Sequence, residues 1–101
     1  MSKFNSLING AQPVLVDVFA EWCQPCKLLS PILKEIKHDF SQQLIIIKVN
    51  IDKNEQIAEK FKIKGVPTLL LFKKGKLIWR QAGIHTKNEL TLIIEEKLKG
   101  N

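Results

Sequence analysis

Long apolar runs are missing from this 101-residue chain. No stretch approaches the ~20 consecutive apolar residues that a membrane-spanning helix needs, so no membrane association is expected. The opening segment, residues 1–10, has no apolar core of a secretory leader. The expectation is a soluble, cytoplasmic protein that stays in the compartment where it is made. Cysteine is scarce, with two residues only, Cys23 and Cys26. In a reducing compartment such thiols are held free, and a purely structural disulfide is not expected. No internal repeat, linker or low-complexity segment divides the chain, so residues 1–101 should form one domain. No glycine-rich nucleotide fingerprint is present either, and no bound cofactor is expected.

Charge of one sign dominates: 16 Lys and Arg against 10 Asp and Glu give a net charge of +6. The lysines are scattered from Lys3 to Lys99, and no basic run is interleaved with aromatics, as single-strand binding requires. The excess therefore reads as a solvated surface, and no nucleic-acid partner is expected.

What is present is enough apolar material for a core. Hydrophobic residues make up 45% of the chain, and a domain of this length buries roughly 60–70% of the surface its unfolded chain exposes. The pattern changes period along the sequence. Val14 to Ala20 is a nearly unbroken apolar run, as in a strand covered on both faces. Leu28, Leu29, Ile32, Leu33, Ile36 and Phe40 then recur at helical spacing from Lys27 onward, with Pro31 inside. Leu44 to Ile51 reads as a second buried strand. Asp52 and Glu55 have capping-box spacing for a short helix with Ile57, Ala58 and Phe61 inside. Thr68–Phe72 and Leu77–Gln81 flank Lys73-Lys74-Gly75-Lys76 as a hairpin. Thr86 and Glu89 cap a final helix carrying Leu90, Ile93, Ile94 and Leu98. With a short helix at residues 4–9, the order is helix, strand, helix, strand, helix, strand, strand, helix. The first two strands, joined through a helix, should be parallel and the last two antiparallel, giving an α/β mixed sheet between helices.

The densest chemistry lies in Trp22-Cys23-Gln24-Pro25-Cys26, where the first strand gives way to a helix. Structural zinc needs four ligands, and only His38 and His85 remain as obvious partners, in no second close pair. Haem attachment needs histidine after the second cysteine, where this chain has Lys27. Burial of two inert thiols does not account for the motif around them. Reversible dithiol–disulfide chemistry is the leading reading. A helix N-terminus carries partial positive charge and unpaired N–H groups, which stabilise a thiolate at Cys23. Cys26, one turn in, should be the less exposed. Pro25 is tolerated because a first-turn N–H has no helical partner. Asp17, a charge inside an apolar strand, should tend towards protonation. Lys48, inside the second strand, is its candidate partner.

Over most of its length, from about Phe4 to Leu98, the chain resembles the thioredoxin family. The resemblance rests on residues 16–27 (VDVFAEWCQPCK), Pro31, residues 48–52 (KVNID), residues 65–72 (GVPTLLLF) and Gly83. It implies a thioredoxin fold and a thiol-disulfide oxidoreductase that reduces protein disulfides. Cys23 would be the nucleophile, Cys26 the resolving thiol, and Asp17, with Lys48 near it, the proton-exchanging group. Pro67 would follow a cis bond beside the disulfide. Trp22, Val66, Thr68 and Gly83 would line the substrate surface, with Gln24 and Pro25 beside them. Partners would be disulfide-containing client proteins and a thioredoxin reductase using flavin and NADPH; no metal is implied. Two departures stand out. Gln24 occupies a position that is usually glycine in thioredoxins, which leaves room for a thiol oxidase or isomerase of more oxidising potential, or a non-catalytic binding module. The family's first strand has no room before Phe4, so the sheet should have four strands, with residues 44–51 at an edge. That edge would be shielded by the N-terminal segment or would support weak self-association, making the protein a monomer or weak dimer.

Overall fold

A computed structural model describes residues 2–100. Helix α1 spans Ser2–Ile8, strand β1 Val14–Phe19, helix α2 Gln24–Phe40 and strand β2 Ile45–Asn50. Helix α3 (Glu55–Lys60), strands β3 (Thr68–Lys73) and β4 (Lys76–Ala82) and helix α4 (Lys87–Lys99) complete the chain. Short 3-10 turns at Ser41–Gln43 and Ile51–Lys53 flank β2.

The four strands form one mixed sheet in the order β2-β1-β3-β4. β1 and β2 are parallel, while β1–β3 and β3–β4 are antiparallel. This is the expected α/β arrangement, with β2 at an edge. Side chains alternate across a strand, so β1 divides its residues between two cores. Val14, Val16 and Val18 pack with Phe4, Ile8, Ile57, Leu70 and Phe72 on the face of α1 and α3. Leu15 packs with Leu29, Leu33, Ile36, Leu69, Leu71, Leu90 and Ile94 on the face of α2 and α4. A strand buried on both sides cannot alternate apolar with polar, which is why residues 14–18 read as a continuous apolar run broken only by Asp17. Alternation places Asp17 on the α2 face, in register with Lys48 on β2 and Leu69 on β3.

The β3–β4 hairpin closes through Lys74 and Gly75, both at positive φ (52° and 82°). Two left-handed residues match the twist of the strands they join. α4 starts with the reciprocal cap the sequence predicts: Thr86 Oγ1 accepts from Glu89 N–H, and Glu89 Oε1 accepts from Thr86 N–H. The cap expected at Asp52–Glu55 does not form. Asn50 Oδ1 accepts the Asp52 N–H at 2.9 Å, winding residues 51–53 into a 3-10 turn, and α3 starts only at Glu55 behind Asn54. Nor does the N-terminal segment cover the β2 edge. α1 lies on the sheet face through Phe4, whose ring sits 5.9 Å from both Phe61 and Phe72. The Ile8 carbonyl is tied to Gly75 N–H in the β3–β4 turn, on the other side of the sheet from β2.

Candidate active site

The carboxyl end of β1 delivers the cysteines. After Phe19 the chain turns so that Cys23 N–H reaches the Ala20 carbonyl at 3.1 Å, and Cys23 becomes the N-cap of α2 with φ −89° and ψ 109°. Its Sγ accepts the Cys26 N–H at 3.1 Å, taking the place an Asx or Ser oxygen usually holds at a helix start. Pro25 sits in the first turn, where its missing N–H leaves nothing unpaired. The two cysteines are joined in a disulfide, Cα to Cα 5.3 Å. Cys26 was expected to be the less exposed; in this oxidised form the two are equally buried, at 3% and 4% exposure. What differs between them is position relative to the helix: the Cys23 sulfur is the one facing the first-turn N–H groups.

Asp17 is fully buried, and neither carboxylate oxygen has a hydrogen-bond partner. Burial pushes its pKa up from 3.8 to about 6, against the opposing pull of the Lys48 charge. Lys48 is across the β1–β2 ladder but does not form an ion pair with it. Its ammonium turns to Ser30 Oγ (3.3 Å) and lies 4.7 Å above the centre of the Phe19 ring. A cavity of about 560 Å³ beside the disulfide is lined by Phe19, Cys26, Ser30 and Lys48 among others. Cys26 and Lys48 therefore share one opening, while Asp17, buried on the same face of the sheet, is not among the residues that line it.

On the other side, the Val66–Pro67 bond is cis and Pro67 is buried. Val66 packs against the Ala20–Cys23–Cys26 cluster. Thr68 is buried and donates from Oγ1 to the Gly65 carbonyl at 2.7 Å. Gly83, at φ +95°, donates its N–H to the Pro67 carbonyl at 2.9 Å. That bond fixes the β4 end beside the cis bond, and the positive φ is one that side chains rarely adopt. Gln24 is exposed on the first turn of α2.

Trp22 stands outward at 71% exposure, and its Nε1 donates to Asp52 Oδ2 at 2.9 Å. Asp52, read from the sequence as a helix start and as the last residue of the 48–52 motif, is thus the anchor of the exposed indole; thirty residues separate the two, and no local pattern links them. Ser30, holding the lysine, was missed for the same reason. The two histidines considered as zinc ligands are apart in kind: His38 is exposed beside Asp39, and His85 is buried edge-on to Trp79. Among the described residues no group of three or more His, Cys, Asp or Glu side chains is placed to hold a metal ion.

A disulfide capping a helix at the end of a central strand, over a buried acid, defines a dithiol–disulfide redox protein. The comparisons with known proteins agree. The thioredoxin family model matches residues 1–96. Thioredoxin from Acidithiobacillus ferridurans is 44% identical over 92 residues, 91% of this chain and 85% of that protein. Thioredoxin from Buchnera aphidicola is 43% identical over 93 residues, covering 92% and 85%. The solved structure of a point-mutant thioredoxin from Halobacterium salinarum superposes with a TM-score of 0.87 at 27% identity, covering 95% of this chain and 83% of that one. The chain belongs to the thioredoxin family and is a thiol-disulfide oxidoreductase working through Cys23 and Cys26.

Proposed function

We propose that the protein is a reductant of protein disulfides in the cytoplasm, acting as a monomer on disulfide-containing clients. The observation that carries this reading is the Cys23 sulfur at the N-terminus of α2, accepting the Cys26 N–H. The helix terminus stabilises negative charge there, so Cys23 is the sulfur most readily held as thiolate at neutral pH.

In the reduced protein the Cys23 thiolate attacks a client disulfide. One Cys23–client disulfide forms, the client S–S bond breaks, and the first client sulfur leaves as thiolate and takes a proton. Asp17, with a pKa near 6 and buried on the face of the sheet that α2 covers, takes the proton from Cys26. The Cys26 thiolate attacks Cys23, the second client sulfur leaves, and the protein keeps the Cys23–Cys26 disulfide. Two electrons have moved from the protein to the client; the proton that left Cys26 passes from Asp17 to the second client sulfur, and water protonates the first. Return to the dithiol is assigned to a thioredoxin reductase using flavin and NADPH; the chain itself is assigned no cofactor. Trp22, Gln24, Pro25, Val66, Pro67, Thr68 and Gly83 are the surface on which the client segment would lie. Ile84, next to Gly83 and 50% exposed, extends it.

Cys26→Ser removes the resolving thiol and leaves the attacking one. That variant should retain clients from a reducing extract as mixed disulfides on Cys23, released by dithiothreitol. Recovery of none, with insulin disulfides also left intact by the unaltered protein, would reject the reductase reading in favour of a binding module.

A further inference from the structure

Helix α2 segregates its charges. Glu35 and Asp39 face α4, where Lys87 Nζ reaches them at 3.5 and 3.0 Å. Lys27, Lys34 and Lys37 recur with Ser30 every three or four residues, so they form one stripe on another side of the helix. That stripe borders two adjoining cavities. The one beside the disulfide includes Cys26, Lys27, Ser30, Lys34 and Lys48. The next, about 330 Å³, includes Ser30, Leu33, Lys34, Lys37, Ile46 and Lys48. Sharing Ser30, Lys34 and Lys48, they make one groove between α2 and β2, running from Cys26 towards the start of β2. Among the described residues no carboxylate lies within ion-pair distance of its lysines. Glu21, at the cysteine end and held by the Asn50 amide, is the one acid among the lining residues.

The groove runs beside an open sheet edge. Ile45 N–H donates to the Pro13 carbonyl, towards β1. Since backbone groups alternate in direction, Ile45, Ile47 and Val49 face β1, while Leu44, Ile46, Lys48 and Asn50 face outward. The ends of this outward row are covered: Lys37 Nζ donates to the Leu44 carbonyl and Asn54 Nδ2 to the Asn50 carbonyl. Its middle, the N–H and C=O of Ile46 and Lys48, is not, because among the described residues β2 pairs with β1 alone. An edge with free backbone groups accepts an added strand.

We infer that the α2–β2 groove docks an extended acidic segment of a partner protein, which adds a strand to β2 at Ile46 and Lys48 and sets its carboxylates on Lys34, Lys48 and Lys27. A second copy of this chain is the disfavoured occupant. Antiparallel pairing of two β2 edges would bring two lysine stripes together, on a molecule already carrying +6. An acidic strand instead meets opposite charge over an apolar floor of Leu33 and Ile46. The surface goes beyond the redox reading, so a probe without cysteine tests it separately.

The probe is a cysteine-free octapeptide of alternating glutamate and valine, titrated into the oxidised, ¹⁵N-labelled protein; a glutamine–valine peptide is the control. At saturation, amide exchange at Ile46 and Lys48 should slow by about tenfold or more, while Ile47 and Val49, already paired to β1, change little. Lys34→Glu, at an exposed position, should weaken binding about tenfold with disulfide-reductase activity unchanged, as should the control peptide. Ile46→Pro removes one outward N–H without touching the β1 ladder and should weaken binding further; if that variant fails to fold, Lys34→Glu carries the test alone. Three outcomes would overturn the inference: no slowing at Ile46 and Lys48 under millimolar peptide, equal affinity for Lys34→Glu, or tighter binding of decathymidylate than of the acidic peptide.

Discussion

Asp17 is the residue on which folding and chemistry disagree most. A carboxyl with no hydrogen-bond partner, buried on the α2 face of the sheet, loses its water without replacement, and the ionised form suffers most. Its pKa is raised from 3.8 to about 6, so the folded state holds the proton more tightly than the unfolded chain. The contribution to stability therefore falls as pH rises through that interval. Above pH 6 the full cost, about 3 kcal/mol by linkage, is present. Asp17→Asn should raise the unfolding free energy of the oxidised protein by about 2–3 kcal/mol at pH 7.5 and by little at pH 3.5; urea denaturation at both values checks this. The same substitution should slow attack of Cys26 on the mixed disulfide by about tenfold or more at pH 7, with first attack by Cys23 nearly unchanged. Stopped-flow tryptophan fluorescence separates the two steps. Equal slowing of both would remove Asp17 from the proton-transfer role. Asp17 was legible from the sequence because a charge interrupts an apolar run. The details of Lys48 were not: register placed it opposite Asp17, but Ser30 and the Phe19 ring, from other elements, claim its ammonium.

At the scale of elements, local signals succeeded where one set of contacts decided the outcome. The Thr86–Glu89 cap formed as the spacing predicts because nothing competes for the Thr86 and Glu89 groups. Thr86→Ala should cost about 1 kcal/mol, read from the midpoint of denaturant unfolding, with no change in disulfide-exchange rates. The equivalent spacing at Asp52–Glu55 failed for a physical reason. Asn50 captures the Asp52 N–H first, and the Asp52 carboxylate is drawn away to Trp22. Helix α2 begins at Gln24, ahead of its apolar stripe, as Cys23 at its N-terminus and Pro25 in its first turn imply. Periodicity marks the buried face of a helix, whereas the start is set by the cap, here a cysteine sulfur.

The whole molecule is two apolar cores on either side of a four-stranded sheet, with the redox pair where the central strand meets α2. The two strand pairs followed from sequence because each connection allowed few alternatives: a helical crossover makes β1 and β2 parallel, and a two-residue turn makes β3 and β4 a hairpin; the antiparallel β1–β3 pairing that joins them was not among the expectations. What covers the edge of β2 could not be read that way, since α1 carries an apolar face that fits several places on the sheet. It lies under Phe61 and Phe72 instead of along β2. The exposed edge is guarded by charge, Lys48 on the strand and Lys34 beside it, as edge strands commonly are. Sedimentation at about 1 mM protein and low salt should therefore give a monomer. A dimer that persists there would show that the lysines do not protect the edge.

The reductant role proposed for Cys23 and Cys26 depends on the direction in which the pair passes electrons. The reduction potential of that couple, measured by equilibration against glutathione buffers with the two redox forms separated after acid quenching, tests it most directly. Stabilising the Cys23 thiolate favours the reduced form and makes a couple more oxidising; Gln24 adds no charge that would enlarge this effect, so the potential should stay near the value characteristic of thioredoxins, about −270 mV. A potential at or above about −180 mV, where disulfide isomerases operate, would make the protein an oxidant of thiols and contradict that role.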